Sequence, residues 1–242
     1  METNRTLLDL FRDGAALLGG GPQALLEAKV LLLRAAALTE ERYLAAPDRP
    51  CTAAAEARFR RLVTKRLGGV PLAYLTGTRE FWSIPFQVTP SVLVPRPETE
   101  VLVEKVLELS RVAAANAALH RARHIRFRKS DLLSAFRGTG AKFDFIVSNP
   151  PYIARDEWDS LPAEVRDYEP RRALLAGESG LEIIERLVRR ARTFLRPGGY
   201  LIFEIGEDQR DRVLALFDRR WTEIETAWDL AGKPRVITAR RA

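Results

Sequence analysis

Apolar residues recur every three to four positions through the first 75 residues, a spacing that is typical of amphipathic helices. One stripe runs from Leu7 to Leu18 and stops at three consecutive glycines, and Pro22 begins the next stripe. The glycines follow a helix and lack the Gly-Lys-Ser/Thr ending of a phosphate-binding loop, so we interpret them as a helix–helix turn. Thr52 is a predicted N-cap for an Arg-rich helix that reaches Leu67. This part of the sequence therefore predicts an all-helical region.

β-forming residues replace this pattern between residues 79 and 94, where prolines punctuate the run and indicate a hairpin. A proline-flanked Arg96 then leads into a helix, with Glu98 and Glu100 near its positive N-terminal end. From about residue 124 strands and helices alternate, as in an α/β domain. Pro197-Gly198-Gly199 is a predicted tight turn that leads into a strand. The predicted strands are His124–Arg128, Phe143–Ser148, Tyr200–Ile205, Trp221–Ala227 and Arg235–Ala239, and the predicted helices are Leu181–Leu195 and Asp208–Phe217.

Composition and charge narrow the class of protein. The 242 residues suit one large domain or two modest ones, and no apolar run approaches the ~20 residues of a membrane span. Charged residues near the start argue against a signal peptide, and the single cysteine, Cys51, excludes an internal disulfide and favours a reducing cytosol. His120 and His124 have no further ligands at metal-binding spacing, so we predict no metal site. The net charge of +7 suits a polyanionic partner, and also a solvated Arg-rich surface.

The motif that carries chemistry is Asn149-Pro150-Pro151-Tyr152, directly after a predicted strand. Ligands of open α/β sheets bind beyond the carboxyl ends of strands. The prolines lack N–H groups, so the Asn149 oxygen and the Pro150 carbonyl can each accept one N–H of a planar –NH2 group. The Tyr152 ring can pack against that plane. Holding both hydrogens would aim the nitrogen lone pair at an electrophile, for which the methyl group of S-adenosylmethionine is the natural candidate.

Taken alone, this tetrapeptide leaves two interpretations open. It is compatible with a rigid turn after a strand, in which the asparagine caps and the prolines shape the loop. It also resembles the signature of amino-group methyltransferases, which act on adenine, cytosine or glutamine amides. The motif thus indicates an –NH2 acceptor without specifying which one.

Further segments, in order from about residue 70 to the C terminus, resemble the PrmC/HemK family of release factor glutamine methyltransferases. The N-terminal helical region agrees with that family in length and class. The matching segments are Pro71-Leu72-Ala73-Tyr74-Leu75-Thr76-Gly77, Glu80-Phe81-Trp82, Leu93-Val94-Pro95-Arg96-Pro97-Glu98-Thr99-Glu100, Glu169-Pro170 with Ala173-Leu174, Gly180-Leu181, Pro197-Gly198-Gly199, Glu204-Ile205-Gly206 with Gln209, and Asp229-Leu230-Ala231-Gly232.

The resemblance implies a fold and an activity. The fold is an α/β protein with an N-terminal helical bundle, a linking β-hairpin and a Rossmann-like class I methyltransferase domain. The activity is S-adenosylmethionine-dependent N5-methylation of the glutamine in the Gly-Gly-Gln motif of class-1 peptide release factors, in the cytoplasm. The implied partner is the release factor, with no membrane, no direct nucleic acid contact and a monomeric state.

The resemblance also assigns roles to residues. Asn149, Pro150, Pro151 and Tyr152 would bind the substrate amide and form the catalytic motif, with Asn149 also facing the cofactor. Asp131 and Leu132 match the contact to the adenine side of the cofactor. The segment Arg96–Glu100 would lie near the mouth of the site, although an ordinary helix start explains it as well.

One segment of the family has no counterpart in this sequence. Family members place a glycine-rich strand–loop–helix after the Pro-Arg-Pro-Glu helix and then a second strand that ends in an acidic residue. The glycines let the backbone approach the cofactor, and the acid binds its ribose. Here Leu109-Ser110 continues directly into Arg111, and Gly138-Thr139-Gly140 precedes a strand instead of following one. We therefore infer that about 40 residues are missing near 110–111, somewhat more than one βαβ unit, and predict weak or no cofactor binding.

The inferred deletion has consequences for the sheet and the domains. The family order 3-2-1-4-5-7-6 would lose strands 1 and 2, which leaves strand 4 with an unpaired edge unless strand 3 closes onto it. We predict a helical release-factor-docking domain at 1–76, a hairpin at 77–95 and an α/β domain at 96–242, truncated near 110–111. Two alternatives stay open: a nucleic-acid amino (adenine) methyltransferase, and a non-catalytic remnant that binds a release factor.

Overall fold

The computed structural model describes residues 5–109 and 128–242, which fall into two compact units. The first unit contains the chain up to Val94 together with Pro162–Glu169, and the second contains Pro95–Leu161 and Pro170–Ala242. The predicted strand at 124–128, apart from its last residue, and the junction at 110–111 lie outside the described residues.

Helices build the first unit, as the apolar spacing predicts. Thr6, Thr39 and Thr52 start three of them, each accepting a hydrogen bond from a backbone N–H of the first turn. The glycine turn before Pro22 and the helix after Thr52 are confirmed, whereas the short third helix was not predicted. The helices are α1 (Leu7–Leu17), α2 (Pro22–Ala36), α3 (Glu40–Ala45), α4 (Ala53–Leu67), α5 (Leu72–Thr76) and α7 (Ala163–Arg166).

The predicted hairpin is present but shorter than expected. Strands β1 (Thr78–Phe81) and β2 (Ile84–Gln87) are antiparallel and joined by two residues, Trp82 and Ser83, both with positive φ. This is the backbone that a two-residue hairpin loop requires. The strand stops at residue 87 because Val88 and Val94 turn inward and are buried against α5.

A mixed four-stranded sheet forms the centre of the second unit, in the order β3-β6-β8-β7. β3 and β6 are parallel, and β8 is antiparallel to both β6 and β7. This order corresponds to strands 4-5-7-6 of the order implied by the resemblance. The elements are α6 (Glu100–Leu109), β3 (Phe143–Ser148), β4 (Ile153–Ala154), α8 (Arg171–Leu174), β5 (Leu175–Gly177), α9 (Glu182–Phe194), β6 (Leu195–Glu204), α10 (Arg210–Leu214), β7 (Trp221–Trp228) and β8 (Pro234–Arg241).

Helices cover both faces of this sheet. α9 buries Ile184 and Leu187 in the larger core, and α6 buries Leu102 against Ile202 and Val236 on the opposite face. Among residues 5–109 and 128–242, β3 has one strand neighbour, β6. No helix in these residues has the length and apolar content of a membrane span.

Two local predictions are corrected. Pro197-Gly198-Gly199 is not a turn before a strand but an irregular stretch inside β6, since Phe143 pairs with Leu195 and Phe145 with Tyr200. The helix predicted over 208–217 is present only as α10, Arg210–Leu214. After it, the N–H groups of Leu216 and Phe217 bond to carbonyls three residues earlier, which is the pattern of turns and not of an α-helix. The short parallel pair β4–β5 was not predicted.

Candidate functional site

The Asn149–Tyr152 segment begins where β3 ends, beside the carboxyl end of the parallel strand β6. Ser148 pairs with Phe203, so Asn149 and Glu204 follow at neighbouring strand ends. Adjacent parallel strands bring their carboxyl ends to the same edge of a sheet, which is the usual place for a ligand site in such folds.

A chain of side-chain hydrogen bonds connects this segment to the buried end of β6. The Nδ2 group of Asn149 donates to Oγ1 of Thr99 over 3.0 Å, and the Thr99 hydroxyl donates to Oε2 of Glu204 over 2.5 Å. The Tyr152 hydroxyl donates to the other oxygen, Oε1, over 3.1 Å. Both carboxylate oxygens are thus occupied by hydroxyl donors.

The carboxyl group of Glu204 is almost fully removed from water, with 1% of the residue exposed. Burial raises the pKa of Glu204, while the hydrogen bonds from Thr99 and Tyr152 and the charge of Arg235 act in the opposite direction. Burial and the neighbouring Glu204 charge also raise the pKa of Tyr152, so its hydroxyl stays protonated. Arg235 lies near both groups and is held by Asp229, with Nη2 and Oδ2 separated by 3.0 Å.

The backbone of the segment is fixed from the other side by Gln209. Its Nε2 group donates to the carbonyl oxygen of Tyr152 over 2.8 Å, and its Oε1 accepts from the N–H of Gly206 over 3.0 Å. Gly180 lies against the same carbonyl with φ +78°, and a Cβ atom there would approach the Tyr152 oxygen to 2.7 Å. The loop therefore requires glycine at position 180, both for its backbone conformation and for space.

Two acceptors of the segment stay open. Among the described residues, nothing donates to Oδ1 of Asn149 or to the carbonyl oxygen of Pro150. Asn149 is exposed, Pro150 is buried and Pro151 is half-buried. The Tyr152 ring packs against the core with its hydroxyl on Glu204. A recess of about 260 Å³ lies beside Tyr152 and is lined also by Gln209 and Arg235.

The two residues expected on the cofactor side lie in a different setting. The exposed carboxylate of Asp131 accepts a hydrogen bond from Arg186 and lies 3.6 Å from Nη1 of Arg190. Leu132 has a positive φ and packs against the hydrophobic core. Neither shares a hydrogen bond with Asn149 among the described residues.

The described residues do not fit the adenosyl group of S-adenosylmethionine. The carboxylate of Asp131 forms ion pairs with Arg186 and Arg190. In the described part of the chain, no strand lies beyond β3 that could carry a glycine-rich loop for the cofactor.

Three supporting residues were not given a role from the sequence. Thr99, Glu204 and Gln209 all lie in segments that match the family, yet their contacts connect residues up to 105 positions apart. One signal was present: Glu204 is a single carboxylate at the end of an apolar strand, where an ionisable group is costly unless it is hydrogen-bonded.

An α/β sheet with Asn-Pro-Pro-Tyr after a parallel strand is the architecture expected of an amino-group methyltransferase. Comparison with known proteins specifies the family. The model of the PrmC N-terminal domain matches residues 9–77. The chain is 36% identical to the release factor glutamine methyltransferase of Koribacter versatilis (strain Ellin345), over 91% of this chain and 92% of the relative. The corresponding enzymes of Moorella thermoacetica and Geobacter sulfurreducens are 37% and 36% identical, over 92% and 98% of this chain and 93% and 96% of the relatives. The chain belongs to the release factor glutamine methyltransferase family.

The same alignments leave unmatched about as many positions of the relatives as the inferred deletion contains. The alignment with the Koribacter relative has 261 positions, whereas the aligned 91% of this chain is about 220 residues. About 40 positions of the relative are therefore aligned with no residue of this chain. The Moorella alignment has 267 positions against about 223 residues, 92% of 242, and leaves about 44. The number of unmatched positions agrees with the length of the segment that we infer to be missing. The location of that segment near 110–111 remains a prediction.

Proposed function

We propose that this chain binds the glutamine side chain of the Gly-Gly-Gln motif in a class-1 peptide release factor. This is the amide that S-adenosylmethionine-dependent N5-methylation, the activity expected of its family, would modify. We further propose that the chain transfers methyl groups weakly or not at all. The residues proposed to hold the acceptor amide, Asn149–Tyr152, are present, whereas the glycine-rich segment expected to hold the methyl donor is not. The observation that carries the proposal is the pair of open acceptors on adjacent residues, Asn149 Oδ1 and the Pro150 carbonyl.

Two acceptors on consecutive residues suit a primary amide. An –NH2 group has two donors in one plane, and each open oxygen would accept one of them. The Pro150 carbonyl belongs to a buried residue and lacks a partner among the described residues, so an incoming donor would satisfy it. A carboxylate in the same position would place oxygen against oxygen, which gives the site a basis for distinguishing glutamine from glutamate.

The residues of the motif would act by positioning and polarisation. Accepting both N–H groups raises the electron density on the amide nitrogen and fixes the direction of its lone pair, with no prior deprotonation. Tyr152 would form one wall of the site, and its ring is held in place because the hydroxyl is bonded to Glu204.

The helical unit offers a surface for docking the release factor. Arg34 of α2 and Arg58, Arg61 and Lys65 of α4 line a recess of about 300 Å³, and no described carboxylate pairs with any of them. On another side of α4, by contrast, Arg66 is bound to Glu27 over 2.7 Å. Unpaired cations gathered on one face favour an acidic partner surface. We propose that this partner is the release factor, in the cytoplasm, with a monomeric chain and no direct nucleic acid contact.

The proposal is tested by comparing two forms of one ligand. The dissociation constant of a labelled release factor would be measured by fluorescence anisotropy, once with the natural Gly-Gly-Gln loop and once with the glutamine changed to glutamate. We expect the glutamate form to bind at least about tenfold more weakly, because two hydrogen bonds of about 1 kcal/mol each are lost and like partial charges face each other.

The control is the same pair of measurements on the Asn149→Ala variant. Removing Oδ1 should reduce the difference between the two ligands, since one of the discriminating acceptors is gone. Equal affinity of the unaltered chain for both ligand forms would contradict the proposed function.

A further inference from the structure

We propose that Thr99 and Glu204 are positioning residues that determine which end of the Asn149 amide faces the ligand. This inference rests on the proposed function, because the amide direction matters only if Asn149 has to accept an N–H group. It extends that function by explaining why the site takes a hydrogen-bond donor and not an acceptor.

The direction of the amide follows from the number of protons in the chain of hydrogen bonds. An ionised carboxylate is an acceptor only, so Thr99 has to use its single hydroxyl proton toward Glu204, at 2.5 Å. The Thr99 oxygen can then only accept from its other neighbour, and the group it accepts is Nδ2 of Asn149, at 3.0 Å. With Nδ2 turned inward, Oδ1 is the atom left for the ligand.

The two ends of this series of hydrogen bonds, Glu204 and Asn149, differ in their surroundings. Glu204 is 1% exposed, whereas Asn149 is exposed. An exposed asparagine without such a connection could turn its amide over and present either end. The buried carboxylate prevents this rotation because a reversed amide would set its oxygen against the Thr99 oxygen, with no proton between them.

The state of the carboxylate should therefore control the amide. A protonated Glu204 could donate to Thr99, which would then be free to donate toward Asn149 and admit the reversed amide. The groups that face Glu204 are the hydroxyls of Thr99 and Tyr152 and the charges of Arg235 and Glu98. Burial raises the pKa of Glu204, so this protonation occurs above the ordinary glutamate range. The folded state then binds the proton more readily than the unfolded chain does, and acidification through this range does not destabilise the fold at Glu204.

The first test observes Asn149 in the free protein. Its side-chain N–H signals would be assigned in a ¹⁵N NMR spectrum through their absence in Asn149→Ala. Thr99→Val keeps the shape but removes the hydroxyl, and should shift these signals and broaden them by exchange. Thr99→Ser keeps the hydroxyl and should retain them. Thr238→Val is the matched control. Thr238 is buried in β8, in the same sheet as Glu204, and its hydroxyl lacks a partner among the described residues.

The second test measures affinity for the release factor between pH 8 and pH 5. We expect Thr99→Val to bind about fivefold more weakly at pH 8, the effect of one hydrogen bond, and Thr99→Ser to restore most of the loss. Affinity of the unaltered chain should fall as Glu204 takes up a proton, and Thr99→Val should lack this part of the pH dependence.

The outcomes separate this inference from the proposed function. Unchanged Asn149 signals and an unchanged pH profile in Thr99→Val would overturn the positioning role, even if the release factor binds. Altered signals in Thr99→Val, with no glutamine preference in the unaltered chain, would support the positioning role and contradict the proposed function.

Discussion

The two sides of strand β3 differ in how completely they are built. At its carboxyl end, toward β6, three side chains form a connected network with the carboxylate of Glu204, which is 1% exposed. Along its other edge, in the part of the chain that the structure describes, no strand pairs with β3.

The difference follows from where the contributing residues lie in the sequence. The network uses positions 99, 149, 152 and 204, all outside the junction at 110–111. By the resemblance to the family, the cofactor would be held by a strand–loop–helix that we infer to be missing from this sequence. On the proposed function, recognition of the acceptor amide and binding of the methyl donor would be separable parts of this fold, because the hydrogen bonds of the network do not depend on the segment that we infer to be missing.

Restoring the missing segment should have the largest effect. The segment of about 40 residues from the Koribacter relative would be inserted between Ser110 and Arg111. We expect methyl transfer to the release factor to rise at least about 100-fold, since two charge-assisted hydrogen bonds to the ribose alone are worth about 3 kcal/mol or more. The measurement is tritium transfer from labelled S-adenosylmethionine, with Asn149→Ala as the blank. A Gly/Ser insertion of equal length is the control, and equal rates for both insertions would contradict the account.

Breaking the support of the acceptor loop should cost the most stability. Gly180→Ala introduces a Cβ atom 2.7 Å from the Tyr152 oxygen at a positive φ, and we expect a loss of about 2–5 kcal/mol in the free energy of unfolding. Gly140→Ala has a similar positive φ but open space around the new atom, so its loss should stay near 1–2 kcal/mol. Urea denaturation measures both, and similar losses would show that the loop is not tightly held.

Reversing the charge of the basic face on α4 should slow association. The triple change Arg58→Glu, Arg61→Glu and Lys65→Glu removes the cations that lack carboxylate partners among the described residues. We expect the association rate with the release factor to fall on the order of tenfold at low salt.

The control for that experiment carries the same change in net charge on the other unit. Arg137, Arg189 and Arg219 are exposed, and glutamate at these three positions should alter the association rate much less. If both triple variants slow association equally, the effect comes from net charge and the docking surface is not on α4.

The smallest effect is expected at Val147 of β3, which is 44% exposed. Val147→Thr changes a largely exposed side chain and should alter the free energy of unfolding by about 0.5 kcal/mol or less. Ile146→Thr, one residue earlier and 7% exposed, should cost about 2–4 kcal/mol because it removes apolar contacts and buries a hydroxyl. A large loss for Val147→Thr would indicate that the Val147 side chain is covered.

The sequence predicted the elements that have strong local signals. β3 was predicted from Phe143 to Ser148 and has those bounds, and Thr52 caps the helix assigned to it. The irregular stretch at Pro197–Gly199 was missed because its conformation depends on pairing with β3, where a Cβ on Gly199 would lie 2.9 Å from the Asp144 oxygen.

The position of Asn149–Tyr152 directly after β3 was predictable, but the hydrogen bonds that hold this segment were not. The tetrapeptide after a strand indicated an –NH2 site at a sheet edge without tertiary information. The hydrogen bonds from Thr99 to Glu204 and from Gln209 to Tyr152 join distant parts of the chain, and no spacing rule connects such positions. Only the isolated charge of Glu204 in an apolar strand pointed to them.

Calorimetric titration of S-adenosylmethionine into the folded chain asks whether the Asn149–Tyr152 site stands without a site for the methyl donor. We expect no saturable heat at micromolar ligand, from protein whose circular dichroism shows the mixed helix and strand content of the fold. One-to-one binding with a micromolar dissociation constant would contradict it, because the chain would then have built a cofactor site without the glycine-rich segment.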